Sequence, residues 1–166
     1  MLELADLNNT GLAAAGGGGD SGRPPLRTAI ARGYINFGPA VLAILDDPAQ
    51  TADILAVARV SAIQNTKQTG YCFPLRQPAP LKQIRIEFDI DRKLSRIQAT
   101  ATVSAEHGGS VETEAVYGAG MALMTIYDIL KNTDRTMTLT QIHLVEEHGG
   151  QQGTFIFADE YENLNL

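Results

Sequence analysis

The residues best suited to chemistry are an acid and a base near the end of one long amphipathic segment. Asp128 and Lys131 stand three positions apart in the stretch Thr125-Ile126-Tyr127-Asp128-Ile129-Leu130-Lys131. Helical side chains three apart share a face, so the two groups could move a proton or hold a phosphate in one cleft. A solvated helix end, where Lys131 complements the dipole, has the same pattern. Spacing alone favours that second interpretation.

A Pro-rich turn supplies a second candidate. Arg76 and Gln77 stand between Pro74 and Pro78, and a rigid loop presents a guanidinium and an amide at little entropic cost. Arginine suits phosphate or carboxylate. The alternative is an ordinary surface loop.

Other charged residues have weaker signals. Glu112 and Glu114 begin the amphipathic segment, where acids commonly complement the helix dipole. Lys67 lies near the end of an earlier predicted helix, and a solvated lysine is the commoner case there. The three histidines lack zinc-ligand spacing, and Cys72 has no cysteine partner. We expect no metal site and no cofactor.

Composition narrows the function classes. The chain has 166 residues, 44% of them hydrophobic and 19% charged, which fits one domain with a core. A net charge of −6 argues against a general nucleic-acid binder, because a phosphate backbone requires a basic face. A single cysteine fits a reducing compartment. No apolar run is long enough for a bilayer and no signal-peptide pattern is visible, so we expect a cytoplasmic protein without membrane contact.

The elements that must position these residues follow from periodicity and turn signals. Residues 1–25 are predicted to be a flexible Gly-rich arm, 26–153 a single domain, and 154–166 an acidic tail. Within the domain, the patterns predict these elements in order: a strand at 27–37, a short helix after Gly38-Pro39, a helix at 52–69, a hairpin at 81–91 and 95–105, a helix at 112–132 and a strand at 139–146. This order predicts an α+β fold, ferredoxin-like, with a mainly antiparallel sheet and helices on one face.

At this point the residues resemble a known family, the cyclic pyranopterin monophosphate synthases, or molybdenum-cofactor biosynthesis protein C. The resemblance covers roughly Ala29 to Gly153. It rests on segments that occur in the family's order and at matching intervals: Ala58-Arg59-Val60, Ile63-Gln64, Lys67, Pro74-Leu75, Val111-Glu112, Glu114-Ala115 and Thr125–Lys131. The Thr-Ile-Tyr-Asp sequence with lysine three residues later is its most specific part.

The resemblance implies an activity and a site. The family converts a cyclised dihydro-GTP to cyclic pyranopterin monophosphate with release of pyrophosphate, at sites between subunits of a hexamer built from dimers. Asp128, Lys131 and Lys67 would then be catalytic. The substrate-contacting segments would include Leu75, Arg76, Gln77, Thr113 and Glu114. The expected partner is a phosphorylated purine or pterin.

The chain also departs from the family's motifs. Arg76-Gln77 replaces a Cys-His pair, and Thr51 and Gln151 each replace a lysine. A glutamine cannot titrate near neutrality, and a triphosphate needs several positive charges. Three hypotheses therefore stay open: the family's lyase reaction, an enzyme for a different and less phosphorylated substrate, and a non-catalytic ligand-binding paralogue.

Overall fold

The computed structural model describes residues 26–106, 109–150 and 153–158. The predicted N-terminal arm, His107 and Gln151 lie outside the described residues, as does the tail from residue 159 onward. The elements follow the chain in this order: β1 (Arg27–Asn36), α1 (Pro39–Leu45), α2 (Pro48–Lys67), α3 (Thr69–Cys72), β2 (Leu81–Asp91), β3 (Arg96–Ala105), α4 (Glu112–Leu130), β4 (Thr138–Gly150) and β5 (Gly153–Ile156).

The described strands form one sheet in the order β2-β3-β1-β4-β5, and every neighbouring pair is antiparallel. The connections from β1 to β2 and from β3 to β4 each carry helices, and α2 and α4 pack against the sheet. The predicted α+β, ferredoxin-like fold is confirmed. No helix in the described ranges is long and apolar enough to cross a membrane.

The β2–β3 hairpin follows the alternation in its sequence. Ile86 lies opposite Ala101 on the helix-covered face and both are buried. The turn is held by the Asp91 carboxylate, which accepts hydrogen bonds from the backbone N–H groups of Lys93 at 3.0 Å and Leu94 at 2.9 Å. Local hydrogen bonds from a side chain to the backbone favour turns, so the turn that joins β2 to β3 lies where the sequence predicts it.

Helix α2 begins four residues earlier than the predicted Ala52. The Asp47 carboxylate accepts the backbone N–H groups of Ala49 and Gln50, and Pro48 occupies the first helical turn. Proline's fixed φ and missing N–H suit that position. The start predicted from sequence, residue 52, was therefore wrong.

The sheet also extends further than predicted. Strand β4 continues to Gly150, four residues beyond the predicted end at residue 146, and β5 pairs with it through Glu146 opposite Ile156. Gly149 adopts a φ of +79° beside the carbonyl of Leu26, a conformation and an approach that glycine tolerates best. These glycines lie where the pairing of β4 with β5 shifts its register, between Glu147 and Gly150.

Helix α4 is the centre of the core. Ala115, Ala119, Ala122, Leu123 and Ile126 have no exposed surface. Two glycines permit close contacts. A Cβ on Gly33 of β1 would lie 2.9 Å from Leu123 Cδ1, and one on Gly118 would lie 2.6 Å from Thr66 Oγ1 of α2. Small residues thus let α4 approach both the sheet and α2.

Candidate functional site

The Pro-rich loop carries Arg76 into the protein. Its Nη2 donates to Glu114 Oε1 at 2.7 Å and Oε2 at 2.6 Å, while Nη1 donates to Thr113 Oγ1 at 3.2 Å. Nη2 also lies 2.9 Å from the carbonyl oxygen of Ser110. Arg76, Thr113 and Glu114, all predicted from sequence as substrate contacts, therefore meet in one cluster.

The burial of Glu114 explains why this cluster needs an arginine. Glu114 is 1% exposed, whereas the Arg76 side chain is 18% exposed. A buried carboxylate without a counter-charge is strongly unfavourable, so the guanidinium neutralises it within the same chain. The Nε of Arg76 is also buried and has no hydrogen-bond partner among the described residues.

Helix α3 holds this loop in place. A Cβ on Gly70 would lie 2.7 Å from both the N and Cα atoms of Pro78, so glycine is required for the approach. The backbone N–H of Arg76 also donates to the Phe73 carbonyl at 3.1 Å. Leu75 and Gln77 flank Arg76 and are exposed, so the structure places these two predicted contacts at the surface beside the buried pair.

Asp128 and Lys131 form an ion pair at the end of α4. Lys131 Nζ donates to Asp128 Oδ1 at 2.6 Å, and the side chains are 47% and 72% exposed respectively. The hydrogen bond and charge of Asp128 raise the pKa of Lys131 above its ordinary value. Asp128 and Lys131 therefore share one face of the helix, as predicted, and that face is exposed to solvent.

Lys67 does not join that pair within one chain. Helices α2 and α4 run antiparallel, because Thr125 bonds Ser61 and Thr66 lies against Gly118. Lys67 is therefore level with the first half of α4, roughly 15 Å along the helix from Asp128 at 1.5 Å per residue. It lines a separate cavity of about 430 Å³ together with Ile63, Ala79, Leu81, Lys82, Gln83 and Ile84.

Sequence reasoning missed a second charged cluster at the start of α4. Arg27 Nη2 donates to Glu112 Oε1 at 2.7 Å, and Arg27 Nε donates to Glu147 Oε1 at 2.7 Å. Burial raises the pKa of Glu112. The bonds from Ser110 and its own backbone N–H, with the charge of Arg27, outweigh burial and leave that pKa below its ordinary value. The sequence feature that could have revealed this cluster is that Arg27 and Glu147 lie near the ends of two strands, which are neighbours in the sheet.

The described residues contain no group of three His, Cys, Asp or Glu side chains arranged to hold a metal ion. Their chemistry is instead that of paired ions: a buried Arg–Glu pair, a half-buried Arg between two glutamates, and an accessible Asp–Lys pair. Such groups can bind charged ligands and move protons.

Fold and site thus define an α+β protein of ferredoxin-like topology whose charged pairs cluster around one long helix. Residues 21–150 match the profile of the MoaC family. Since the match covers most of the chain, the protein belongs to that family. Membership supports a role in molybdenum cofactor biosynthesis.

Proposed function

We propose that the protein is a lyase that converts a cyclised dihydro-GTP to cyclic pyranopterin monophosphate and releases pyrophosphate. The Asp128–Lys131 pair carries this proposal. An acid and a base bonded at 2.6 Å and open to solvent can transfer a proton to and from a bound substrate. Both residues fall on the segment through which the chain most specifically resembles the family.

A complete site on this proposal combines residues of two copies. Lys67 is roughly 15 Å along α4 from Asp128 in one chain and lines a separate cavity, so the three proposed catalytic residues do not meet at one point within a single chain. In a homo-oligomer, one copy would supply Lys67 and its neighbour Asp128 and Lys131. The family that the chain resembles forms a hexamer built from dimers. The resemblance implies that Leu75 and Gln77, which are exposed beside Arg76, contact the ligand.

One observation favours a second candidate, an enzyme for a less phosphorylated substrate or a protein that binds its ligand without turnover. Arg76 is the positive charge gained in the substrate-contacting loop, and Glu114 already neutralises it. It therefore adds little to the binding of a triphosphate, which needs several free positive charges. Thr51 and Gln77 contribute no positive charge.

The experiment supplies the cyclised dihydro-GTP to the purified full chain and measures pyrophosphate and the pterin product. Release of both in equal amounts supports the lyase. Absence of product at high protein concentration contradicts it. Calorimetry with the same compound then separates the remaining hypotheses, because tight binding without turnover indicates the ligand-binding paralogue and absence of binding indicates a different substrate.

A further inference from the structure

The sheet has a second face, opposite to the one that α4 covers, and Arg32 lies near its centre. A Cβ on Gly33 would meet Leu123 of α4, and side chains alternate along a strand, so Arg32 points to the other side. Arg32 lies opposite Thr100 of β3 and opposite His143 of β4. It is half-buried. The sheet therefore separates this position from the residues of the proposed lyase site.

Arg32 has no counter-charge among the described residues. Its Nε is buried and has no hydrogen-bond partner there, and the ion pairs of the described chain do not include it. Its neighbours on this face carry no carboxylate: Ile30 and Tyr34 along β1, Thr100 and His143 across it. A partly buried guanidinium without a carboxylate beside it is unfavourable and suits an anionic ligand.

The acids one position further away are already bonded to other residues. Glu87 lies beyond Thr100, and its carboxylate is 3.4 Å from Arg85 Nε. Glu146 lies opposite Ile30 and is 3.0 Å from His148 Nε2. The charge of Arg32 is therefore left for a group from outside the described chain.

Thr100 provides a hydroxyl donor on one side of Arg32. Gln98 Nε2 donates to Thr100 Oγ1 at 3.1 Å, so the hydroxyl oxygen is an acceptor in this contact and its hydrogen remains available. Side chains directly opposite in a sheet have Cβ atoms about 4.5–5.5 Å apart. The hydroxyl and the guanidinium can therefore bond one small ligand together.

His143 provides an acceptor on the other side of Arg32. Its Nδ1 lies 2.6 Å from the carbonyl oxygen of Gln141. Because a carbonyl oxygen only accepts, Nδ1 carries a hydrogen, and Nε2 of the neutral ring is then an acceptor. The ring packs against Phe157 with centroids 4.6 Å apart, which restricts its movement.

We propose that Arg32, Thr100 and His143 bind a phosphate group that carries a proton, as inorganic phosphate or at the end of a small phosphomonoester. The guanidinium fork bonds the phosphate oxygens, the Thr100 hydroxyl donates to one of them, and the phosphate O–H donates to His143 Nε2. Sulfate has a similar shape but no proton near neutrality, so this site discriminates against it. The proposal is independent of the proposed lyase activity, because none of these residues belongs to that site.

The Nε–Hε NMR signal of Arg32 provides the test, and its absence in Arg32→Lys identifies it. In the full chain at constant ionic strength, inorganic phosphate should shift this signal saturably. Sulfate should bind about fivefold more weakly, the value of one net hydrogen bond. Methyl phosphate separates the two sources, since affinity equal to that of phosphate supports a monoester ligand and weaker affinity supports the free ion. Absence of a saturable shift, or equal affinities for phosphate and sulfate, would overturn the proposal.

Variants test the two neighbours separately. Thr100→Val should weaken phosphate binding about fivefold, whereas the matched control Thr102→Val, opposite Ile30 on the same strand, should leave it unchanged. His143→Leu should abolish the preference for phosphate over sulfate. Equal effects of the two threonine variants, or a preference that survives in His143→Leu, would contradict the assigned contacts.

Two further measurements identify other partners of Arg32. A lower molar mass of Arg32→Gln in light scattering would assign Arg32 to a contact between copies of the chain. Phosphate binding that appears only in the full-length variant Asp159→Asn/Glu160→Gln/Glu162→Gln would assign it to the acidic end of the chain. Either result overturns the proposal, and an unchanged mass with binding in the parent chain supports it.

Discussion

Arg76 Nη2 lies within 2.7 Å of both carboxylate oxygens of Glu114, and the two residues stand 38 positions apart in the chain. The pair joins the Pro-rich loop to the first turn of α4. Because Glu114 is 1% exposed, its charge has little access to water, so the loop and the helix depend on each other for stability.

We expect Arg76→Met to lower the free energy of unfolding by about 3–5 kcal/mol, since removing one partner of a buried pair leaves an uncompensated charge. Urea unfolding measures the change. Arg85→Met is the matched control, because the Arg85 side chain is 63% exposed and surface pairs contribute little. The double variant Arg76→Met/Glu114→Leu should recover most of the loss. Equal effects of the two single variants would contradict a structural role for the pair.

The stability of the fold should decrease in acid partly through Glu112. Its pKa is lowered in the folded protein from an ordinary value of 4.5, so its contribution is complete above pH 4.5 and is lost as the pH falls through the folded-state pKa. Unfolding free energies between pH 7 and 3 should therefore show a shallower acid slope for Glu112→Gln than for the parent. Glu87→Gln on the exposed face of β2 serves as control and should keep the parent slope.

Gly118→Ala should destabilise the protein by about 1–3 kcal/mol, the usual cost of overpacking. The new Cβ would lie 2.6 Å from Thr66 Oγ1, and Thr66 is buried. Gly120→Ala in the same helix is the control, because its Cβ would be 3.8 Å from the nearest side-chain atom. Alanine's helix propensity should then make that variant neutral or more stable. Thr66→Ala should rescue Gly118→Ala, and failure to do so would show that another contact is limiting.

Asp128→Asn should lower the pKa of Lys131 toward its ordinary value of 10.5, because the negative charge beside it is removed and a neutral amide oxygen accepts a weaker hydrogen bond than a carboxylate does. An NMR titration of the Lys131 side chain measures this change. If the lyase proposal is correct, the same variant loses about 100-fold in turnover. The exposed control Asp89→Asn keeps both properties. An unchanged turnover in Asp128→Asn would remove Asp128 from the catalytic residues.

Two substitutions of Asp47, the N-cap of α2, should have different effects on thermal stability. Asp47→Ala removes the oxygen that accepts the N–H groups of Ala49 and Gln50, whereas Asp47→Asn keeps an acceptor. Asparagine and aspartate are comparable caps and alanine is a poor one. Thermal unfolding should therefore give a lower midpoint for alanine and nearly the parent value for asparagine. Equal midpoints would contradict the capping role.

Most of the fold could be predicted from local patterns. The alternation around Ile86 and Phe88 predicted β2 with its observed bounds, and the turn after Asp91 followed from known side-chain chemistry. The predicted start of α2 was too late in the sequence because a proline can either end a helix or begin one. Only the cap formed by Asp47 shows that Pro48 begins α2. Strand β5 escaped prediction because its pairing with Glu146 and Glu147 depends on a neighbouring strand.

The site was less predictable. The approach of Asp128 to Lys131 follows from helix geometry and needs no tertiary information. The partner of Arg76 does not follow from local geometry, because its contact with Glu114 depends on how the Pro-rich loop packs against α3. The distance between Lys67 and Asp128 likewise depends on α2 and α4 running antiparallel, which periodicity in either helix does not encode.

Helix α4 divides its surface among the sheet, α2 and a third side that carries Tyr117, Met121 and Met124, and this division has a consequence for how the protein can change. Positions facing the sheet or α2, such as Leu123 and Gly118, accept few side chains without loss of packing. On the third side, Met124 is 53% exposed and meets no such restriction from the described fold. New binding properties can therefore arise by substitution on this third side while the folded framework and the charged pairs at both ends of the helix stay as they are.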